Sequence, residues 1–150
     1  MTNLDGLRAN LGELWIPDIY QEKVRTKRTR SISMDIPAKE NFPDIMHTLL
    51  GVELKVGKLR IACPDLATAR YLLVFARIGC ANIAVPYDIT KISAVADDLE
   101  TAWQRMNLIL EDTTVRTRNS ALRRIREQIA GIGAGEAMPE FNQNTKQRNR

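Results

Sequence analysis

Two basic segments hold the side chains of this chain that are best suited to binding a charged partner. Residues 23–30 and 113–126 each carry five positive charges and no acidic residue. The last ten residues add three more, which leaves 9 basic against 18 acidic residues in the rest of the chain. An acidic body with basic segments attached is typical of proteins whose partner is a polyanion, although solvated loops and tails give the same pattern.

Nucleic acid is the polyanion that these segments predict, with the choice between DNA and RNA left open. Lys and Arg side chains contact backbone phosphates, and such contacts supply affinity but little sequence information. The ten residues predicted to bind phosphate are Lys23, Arg25, Lys27, Arg28, Arg30, Arg116, Arg118, Arg123, Arg124 and Arg126.

The residue types that support catalysis or metal binding are few and scattered. His47 is the only histidine and has no cysteine pair near it, so neither a zinc site nor a histidine-based triad is assembled locally. Cys63 and Cys80 are predicted to be unbonded thiols, because the helix between them carries the chain to the opposite end of the sheet. We therefore predict no catalytic residue, no metal ligand and no cofactor, and we expect that the protein is not an enzyme.

The central stretch of the chain predicts a β-hairpin. Apolar and polar residues alternate in 52–56 and again in 59–63, which is the period-2 pattern of two half-buried strands. Only Gly57 and Lys58 separate these strands, and Gly at the first loop position suits a type II′ turn. A two-residue loop fixes three facing pairs: Val56 with Leu59, Leu54 with Ile61, and Val52 with Cys63.

Patterns on either side of the hairpin complete an α+β fold. The predicted flanking elements are a strand at 31–36, a helix at 42–50, a helix at 66–78 and a strand at 83–85. Asp65 is the predicted N-cap of the helix at 66–78, and Gly79 is predicted to end it in the left-handed conformation. The resulting order, strand–helix–strand–strand–helix–strand, is that of the ferredoxin-like β-α-β-β-α-β sandwich. The alternative is a three-layer α/β sheet in which the hairpin region forms one bent strand.

The open face of the predicted sheet carries no aromatic residue. Sheets of this topology that recognise RNA stack bases on aromatic side chains. The absence predicts that nucleic-acid binding depends on phosphate contacts and is nearly indifferent to sequence. The predicted face consists of Ser31, Ser33, Asp35, Glu53, Lys55, Arg60, Ala62, Asn82 and Ala84.

Two helices are predicted after the sandwich, at about 89–111, with Asp88 as its cap, and at about 120–131. The second helix has an apolar stripe formed by Leu122, Ile125, Ile129 and Ile132, and on a helical wheel Arg123, Arg124 and Arg126 lie opposite this stripe. The first has an apolar seam with heptad spacing, which suits a helix pair or a short coiled coil. We expect the seam to be covered by the second helix, by the N-terminal leucines or by another copy of the chain. The residues of this predicted helix-pair or oligomer interface are Ile92, Val95, Leu99, Trp103, Met106 and Ile109.

The chain is predicted to divide into four parts. The start of the chain is polar and no apolar run approaches the length of a bilayer span, so we expect neither a signal peptide nor a membrane segment. Two cysteines fit a reducing compartment, and we expect a cytoplasmic protein. The parts are an N-terminal amphipathic helix and basic lead-in at 1–30, the sandwich core at 31–88, a C-terminal helical arm at 89–132 and a disordered tail at 133–150.

These patterns together predict a non-enzymatic, nucleic-acid-associated protein that binds the phosphate backbone with little sequence specificity. The alternative is a homo-oligomeric scaffold or adaptor, a regulatory protein–protein interaction module whose C-terminal helices associate between copies.

Overall fold

The computed structural model describes residues 4–34, 43–56 and 59–135 of the chain. The predicted α+β class is confirmed, since 60% of the described residues are helical and 21% lie in strands. The helices are α1 (Leu4–Leu11), α2 (Ile16–Ile19), α3 (Leu66–Ile78), α4 (Ile89–Leu110) and α5 (Val115–Ile132), with a 3₁₀ turn at Gly12–Leu14 and a π-helical turn at Tyr20–Val24. The strands are β1 (Thr29–Ser33), β2 (Asp44–Thr48), β3 (Gly51–Val56), β4 (Leu59–Cys63) and β5 (Asn82–Pro86).

Helices α3 and α4 begin at the side-chain caps that the sequence predicts. Asp65 Oδ1 accepts a hydrogen bond from the backbone N–H of Thr68 at 2.7 Å, and Asp88 Oδ1 accepts one from the N–H of Thr90 at 3.0 Å. Each cap satisfies a backbone donor that the first helical turn leaves unpaired. Helix α3 ends at Gly79, whose φ of 100° lies in the left-handed region that glycine adopts without strain.

Strands β3 and β4 form the predicted hairpin, and their register is confirmed. The facing pairs are Val52 with Cys63, Leu54 with Ile61, and Val56 with Leu59. Leu54 and Val56 are buried, and β3 packs against α3. The loop residues Gly57 and Lys58, on which the predicted turn type depends, lie outside the described residues.

The helix predicted at 42–50 is wrong, because the described part of this stretch forms β2 and a turn. Strand β2 pairs antiparallel with β3, which places Ile45 opposite Leu54. A helix in this stretch would gain stability from its apolar face only if Leu49 and Leu50 were buried, but their relative exposures at the hairpin tip are 105% and 97%. Pairing with β2 satisfies backbone groups of β3 that would otherwise lie on an open sheet edge.

The ferredoxin-like topology is not confirmed, because the strands form two separate sheets. Strand β1 pairs antiparallel with β5, while β2, β3 and β4 form a three-stranded antiparallel sheet in that order. The three-layer alternative is not confirmed either, since the hairpin is not one bent strand. The described strands therefore do not form the predicted single open sheet face, and Ala84, which was assigned to it, is buried. Asp35, also assigned to that face, lies outside the described residues.

Tyrosine hydroxyls close the edge of β5 at Ala84. The Tyr20 hydroxyl accepts a hydrogen bond from the Ala84 N–H at 3.0 Å, and the Tyr71 hydroxyl donates one to the Ala84 carbonyl at 2.6 Å. Tyr20 also donates to the carbonyl of Gly133 at 2.9 Å, and its ring lies edge-on to Phe75 with the centroids 5.6 Å apart. This centre joins β5, α3, the N-terminal helices and the end of α5.

The apolar seam of α4 is buried within one chain. Helix α4 packs on α3, and the N-terminal segment formed by α1, the 3₁₀ turn and α2 also contacts it. The amphipathic start of the chain thus finds its docking surface in the same molecule. The prediction that the seam joins two chains stays a prediction. Of the six seam residues, four are buried (Ile92, Val95, Leu99 and Met106) and two are partly buried (Trp103 and Ile109).

One hydrophobic cluster draws residues from the N-terminal, central and C-terminal segments. A hydrogen bond of 2.8 Å from Trp15 Nε1 to Gln128 Oε1 links the first and last described helical regions. The division into four parts stays a prediction, and residues 136–150 of the predicted tail lie outside the described residues.

Candidate nucleic-acid interface

A tyrosine with two arginines lies at one end of the β1–β5 ribbon. Thr29 faces Pro86 in the ladder, and the Tyr87 N–H donates to the carbonyl of Arg28 at 3.1 Å, which extends the pairing by one residue. The guanidinium carbon of Arg28 lies 5.5 Å from the centroid of the Tyr87 ring, and that of Arg30 lies 6.0 Å from it. These distances fit cation–π contacts, and the three residues form what we call the Tyr87 cluster.

The local sequence explains why the Tyr87 ring stays at the surface. Pro86 is buried and ends β5, and Asp88 turns its carboxylate toward the first turn of α4. Tyr87 stands between these two anchored residues, and its relative exposure is 44%. The ring is therefore held in place by its neighbours while a large part of it remains accessible.

The outer face of α5 carries a second group of cations. Helix α5 begins at the cap Thr114, whose hydroxyl oxygen accepts a hydrogen bond from the Thr117 N–H at 3.1 Å. Its predicted apolar stripe packs inward, with Ile125 and Ile129 buried, and leaves the opposite face to solvent. A shallow cleft of about 580 Å³ runs along part of this helix and is lined by Val115, Arg116, Asn119, Ser120, Arg123 and Arg126.

Two cations of the first basic segment already have contacts within the chain. Lys23 Nζ lies 2.7 Å from a carboxylate oxygen of Asp98, which partly neutralises its charge. Arg25 is half-buried, and its Nη1 donates to the Thr29 hydroxyl at 3.4 Å. The guanidinium of Arg25 also lies close to Gly135, so that the first basic segment begins beside the end of α5.

Two arginines of the second segment also point inward. Arg118 donates to Asn107 and lies 5.8 Å from the centroid of the Trp103 ring. Arg126 donates to the carbonyl of Ile78 at 2.9 Å, at the end of α3, where a positive charge also interacts favourably with the helix dipole. Arg126 is half-buried, because it lines the cleft along α5 and also reaches the end of α3.

The ten predicted residues fall into two groups: four whose hydrogen bonds within the chain are given above, of which Lys23 is also exposed, and six others that are exposed, of which Arg28 and Arg30 contact Tyr87. The four inward cations are Lys23, Arg25, Arg118 and Arg126. The six outward cations are Lys27, Arg28, Arg30, Arg116, Arg123 and Arg124. Tyr87 was not among the predicted residues, because it follows the predicted strand at 83–85 and was not assigned to a sheet face. Its neighbourhood with Arg28 and Arg30 depends on the antiparallel pairing of β5 with β1, which the sequence patterns did not predict.

A groove of about 820 Å³ lies between α3 and α4, and its lining residues do not include the members of the Tyr87 cluster. Leu73, Val74 and Trp103 supply its apolar surface. Its charged lining includes both signs, with Arg77 and Glu100 among its members. Mixed charge of this kind does not favour a polyanion.

The two thiols are buried and free, as predicted. Burial raises the pKa of the Cys63 thiol, and it raises the pKa of the Cys80 thiol to about 12 although Arg126 opposes the change. Both groups are therefore protonated at neutral pH and are poor nucleophiles. His47 is exposed on β2. Within the described ranges, no three His, Cys, Asp or Glu side chains lie close enough together to hold a metal ion.

No protein-family model matches the chain, and neither the curated proteins nor the solved structures give a significant match. Among the helices that the structure describes, none is long and apolar enough to cross a lipid bilayer.

Proposed function

We propose that this protein is a non-enzymatic, nucleic-acid-associated protein that binds the phosphate backbone through its outward cations. The six residues lie on two supports, the start of β1 and the outer face of α5. Binding by such side chains is electrostatic and carries little sequence information.

The observation that supports the proposal is that five of the six outward cations form no ion pair with another described residue. The ion pairs between described residues involve neither the three α5 members, Arg116, Arg123 and Arg124, nor Lys27 and Arg30. These side chains stand on a chain whose other parts are acidic, so their positive charge is concentrated where a phosphate backbone can meet it.

Salt dependence of binding tests the proposal. The affinity for labelled duplex and single-stranded probes is measured by fluorescence anisotropy over a range of salt concentrations. With about five phosphates engaged on duplex DNA, affinity should fall roughly 500-fold between ~50 and ~200 mM salt. The triple variant R116A/R123A/R124A should reduce the slope by about 2.7, which is roughly 0.9 for each lost contact.

A matched control separates this effect from a general loss of positive charge. Arg77 and Arg105 are exposed on α3 and α4, outside both basic segments. The variant R77A/R105A should leave the slope unchanged. Native protein that binds neither probe at ~50 mM salt would contradict the proposal.

That negative result would favour the second candidate function, a homo-oligomeric scaffold or adaptor. The observation in its favour is the hairpin tip, where Leu49 and Leu50 are fully exposed. Large apolar side chains that stand together on a surface are typical of protein-binding sites. Sedimentation of the native protein and of L49S/L50S would then show whether the tip mediates association.

A further inference from the structure

We infer that the Tyr87 cluster stacks on an exposed base, so that the protein binds single-stranded nucleic acid in preference to duplex. This inference rests on the proposed function and names its ligand. It also replaces the sequence-based expectation that no aromatic residue is available for stacking.

The geometry of the cluster places an aromatic surface and two cations within the span of one nucleotide. Arg28 immediately precedes β1 and Arg30 lies on it, both guanidinium carbons are within 6.0 Å of the Tyr87 centroid, and Tyr87 follows the end of β5. An aromatic ring stacks on the flat face of a base, while neighbouring guanidinium groups donate hydrogen bonds to the phosphates on either side. The backbone pairing between Arg28 and Tyr87 holds both partners in register before a ligand arrives.

The acidic neighbour of the cluster is already occupied. Asp88 accepts hydrogen bonds from the backbone N–H of Thr90 at 3.0 Å and from its hydroxyl at 2.5 Å. These bonds, the N–H bond included, lower the pKa of the Asp88 carboxyl, which therefore remains ionised. Its charge faces the first turn of α4.

The preference for single strands follows from the accessibility of the bases. In a duplex, bases are stacked on one another, and a ring at the protein surface reaches only the backbone. In a single strand the bases can unstack, and each offers a flat face to an aromatic side chain. Stacking of this kind tolerates any base, which agrees with the proposed lack of sequence specificity.

The test compares the native protein with Y87A and Y87F on two probes, an oligothymidine of ~15 nucleotides and a duplex of the same length. Y87A should weaken single-strand binding by roughly 5- to 150-fold and duplex binding by much less. Y87F keeps the ring and should retain the preference. I89A is the matched control, because Ile89 is an exposed apolar residue two positions further on, and it should bind like the native protein.

Two further measurements keep the test decisive if Y87A does not fold. R28K/R30K retains both charges but removes the planar guanidinium groups, so single-strand affinity should fall while the duplex salt slope is unchanged. Irradiation of the native protein with an iodouracil-substituted single strand should attach the probe to Tyr87, as located by peptide mass spectrometry.

The outcomes distinguish this inference from the proposed function. Equal native affinity for both probes, with no effect of Y87A or R28K/R30K, would overturn the inference and leave backbone binding intact. An equal loss on both probes in Y87A would also overturn it, because Tyr87 would then only position the arginines. Absence of binding to either probe would overturn the proposed function and the inference together.

Discussion

The two basic segments carry equal charge but are built into the molecule in different ways. The first, residues 23–30, runs from a π-helical turn into β1, and whether one of its cations is inward or outward depends on an individual partner such as Asp98. The second, residues 113–126, includes the start of α5, and whether one of its arginines is inward or outward depends on the side of the helix on which it lies. Each segment keeps three outward cations. The number of charges in a segment therefore overstates the charge that a ligand meets.

The difference also explains where an aromatic residue can take part. A strand pairs with a neighbour, so β1 brings Arg28 and Arg30 beside Tyr87 from a distant part of the sequence. A helix that is packed on one side offers its other side to solvent alone. The outer face of α5 is thus suited to phosphate contacts, while the end of β1 is suited to contacts with a base and a phosphate together.

Alkaline pH should have the largest effect, and it tests how firmly the second segment is attached to the core. The end of α5 covers Cys80, whose pKa is raised to about 12 by burial. Because the unfolded thiol ionises near pH ~8.5, this stabilisation is complete below that pH and is lost as pH rises toward ~12. The free energy of unfolding should fall by up to about 1.4 kcal/mol per pH unit in that range.

Denaturant titrations of the native protein and C80A under reducing conditions would measure this decline. C80A should show a flatter decline between pH ~9 and ~10, because it lacks the ionisation of Cys80 while Cys63 and the tyrosines contribute equally to both curves. Burial also raises the pKa of Tyr20 and Tyr71, so both proteins should lose stability at higher pH. Parallel curves from pH ~9 to ~10 would mean that Cys80 is not protected by α5.

A smaller effect is expected from R126A, which separates an inward arginine of α5 from an outward one. Loss of the hydrogen bond to Ile78 leaves a carbonyl at the end of α3 without its donor, and should cost about 1–2 kcal/mol. R123A, three residues earlier on the exposed face, should change the free energy of unfolding by less than about 0.5 kcal/mol. Similar changes in the free energy of unfolding for the two variants would contradict the assignment of Arg126 as inward and Arg123 as outward.

The smallest effect is expected from the ion pair of the first segment. The side chains of Lys23 and Asp98 are 52% and 41% exposed, so their pair should contribute only about 0.2–1 kcal/mol. A double-mutant cycle with K23A and D98A measures the coupling, which should decrease at high salt. Coupling well above this range would show that Lys23 is more deeply integrated than its exposure indicates.

Local chemistry in the sequence was sufficient to predict several elements of the fold. The cap Asp65 and the terminator Gly79 define α3, and the two-residue separation of β3 and β4 defines their register. Both depend on residues a few positions apart, whose conformational preferences do not require knowledge of the rest of the chain. The ten basic residues could also be recognised as a group from charge alone.

Tertiary structure decided what these patterns left ambiguous. Residues 45–50 have a helical apolar period, but residues 45–48 pair with the edge of β3 as part of β2, and Leu49 and Leu50 are left exposed in the turn. Arg126 lies on a polar face by sequence, yet the end of α3 supplies an acceptor for it. Tyr87 gains its arginine neighbours only through the pairing of β1 with β5. For Arg126 and Tyr87 the deciding partner is distant in sequence, and for residues 45–48 it is the neighbouring strand of a hairpin; in each case hydrogen bonding or packing against the partner outweighs the local signal.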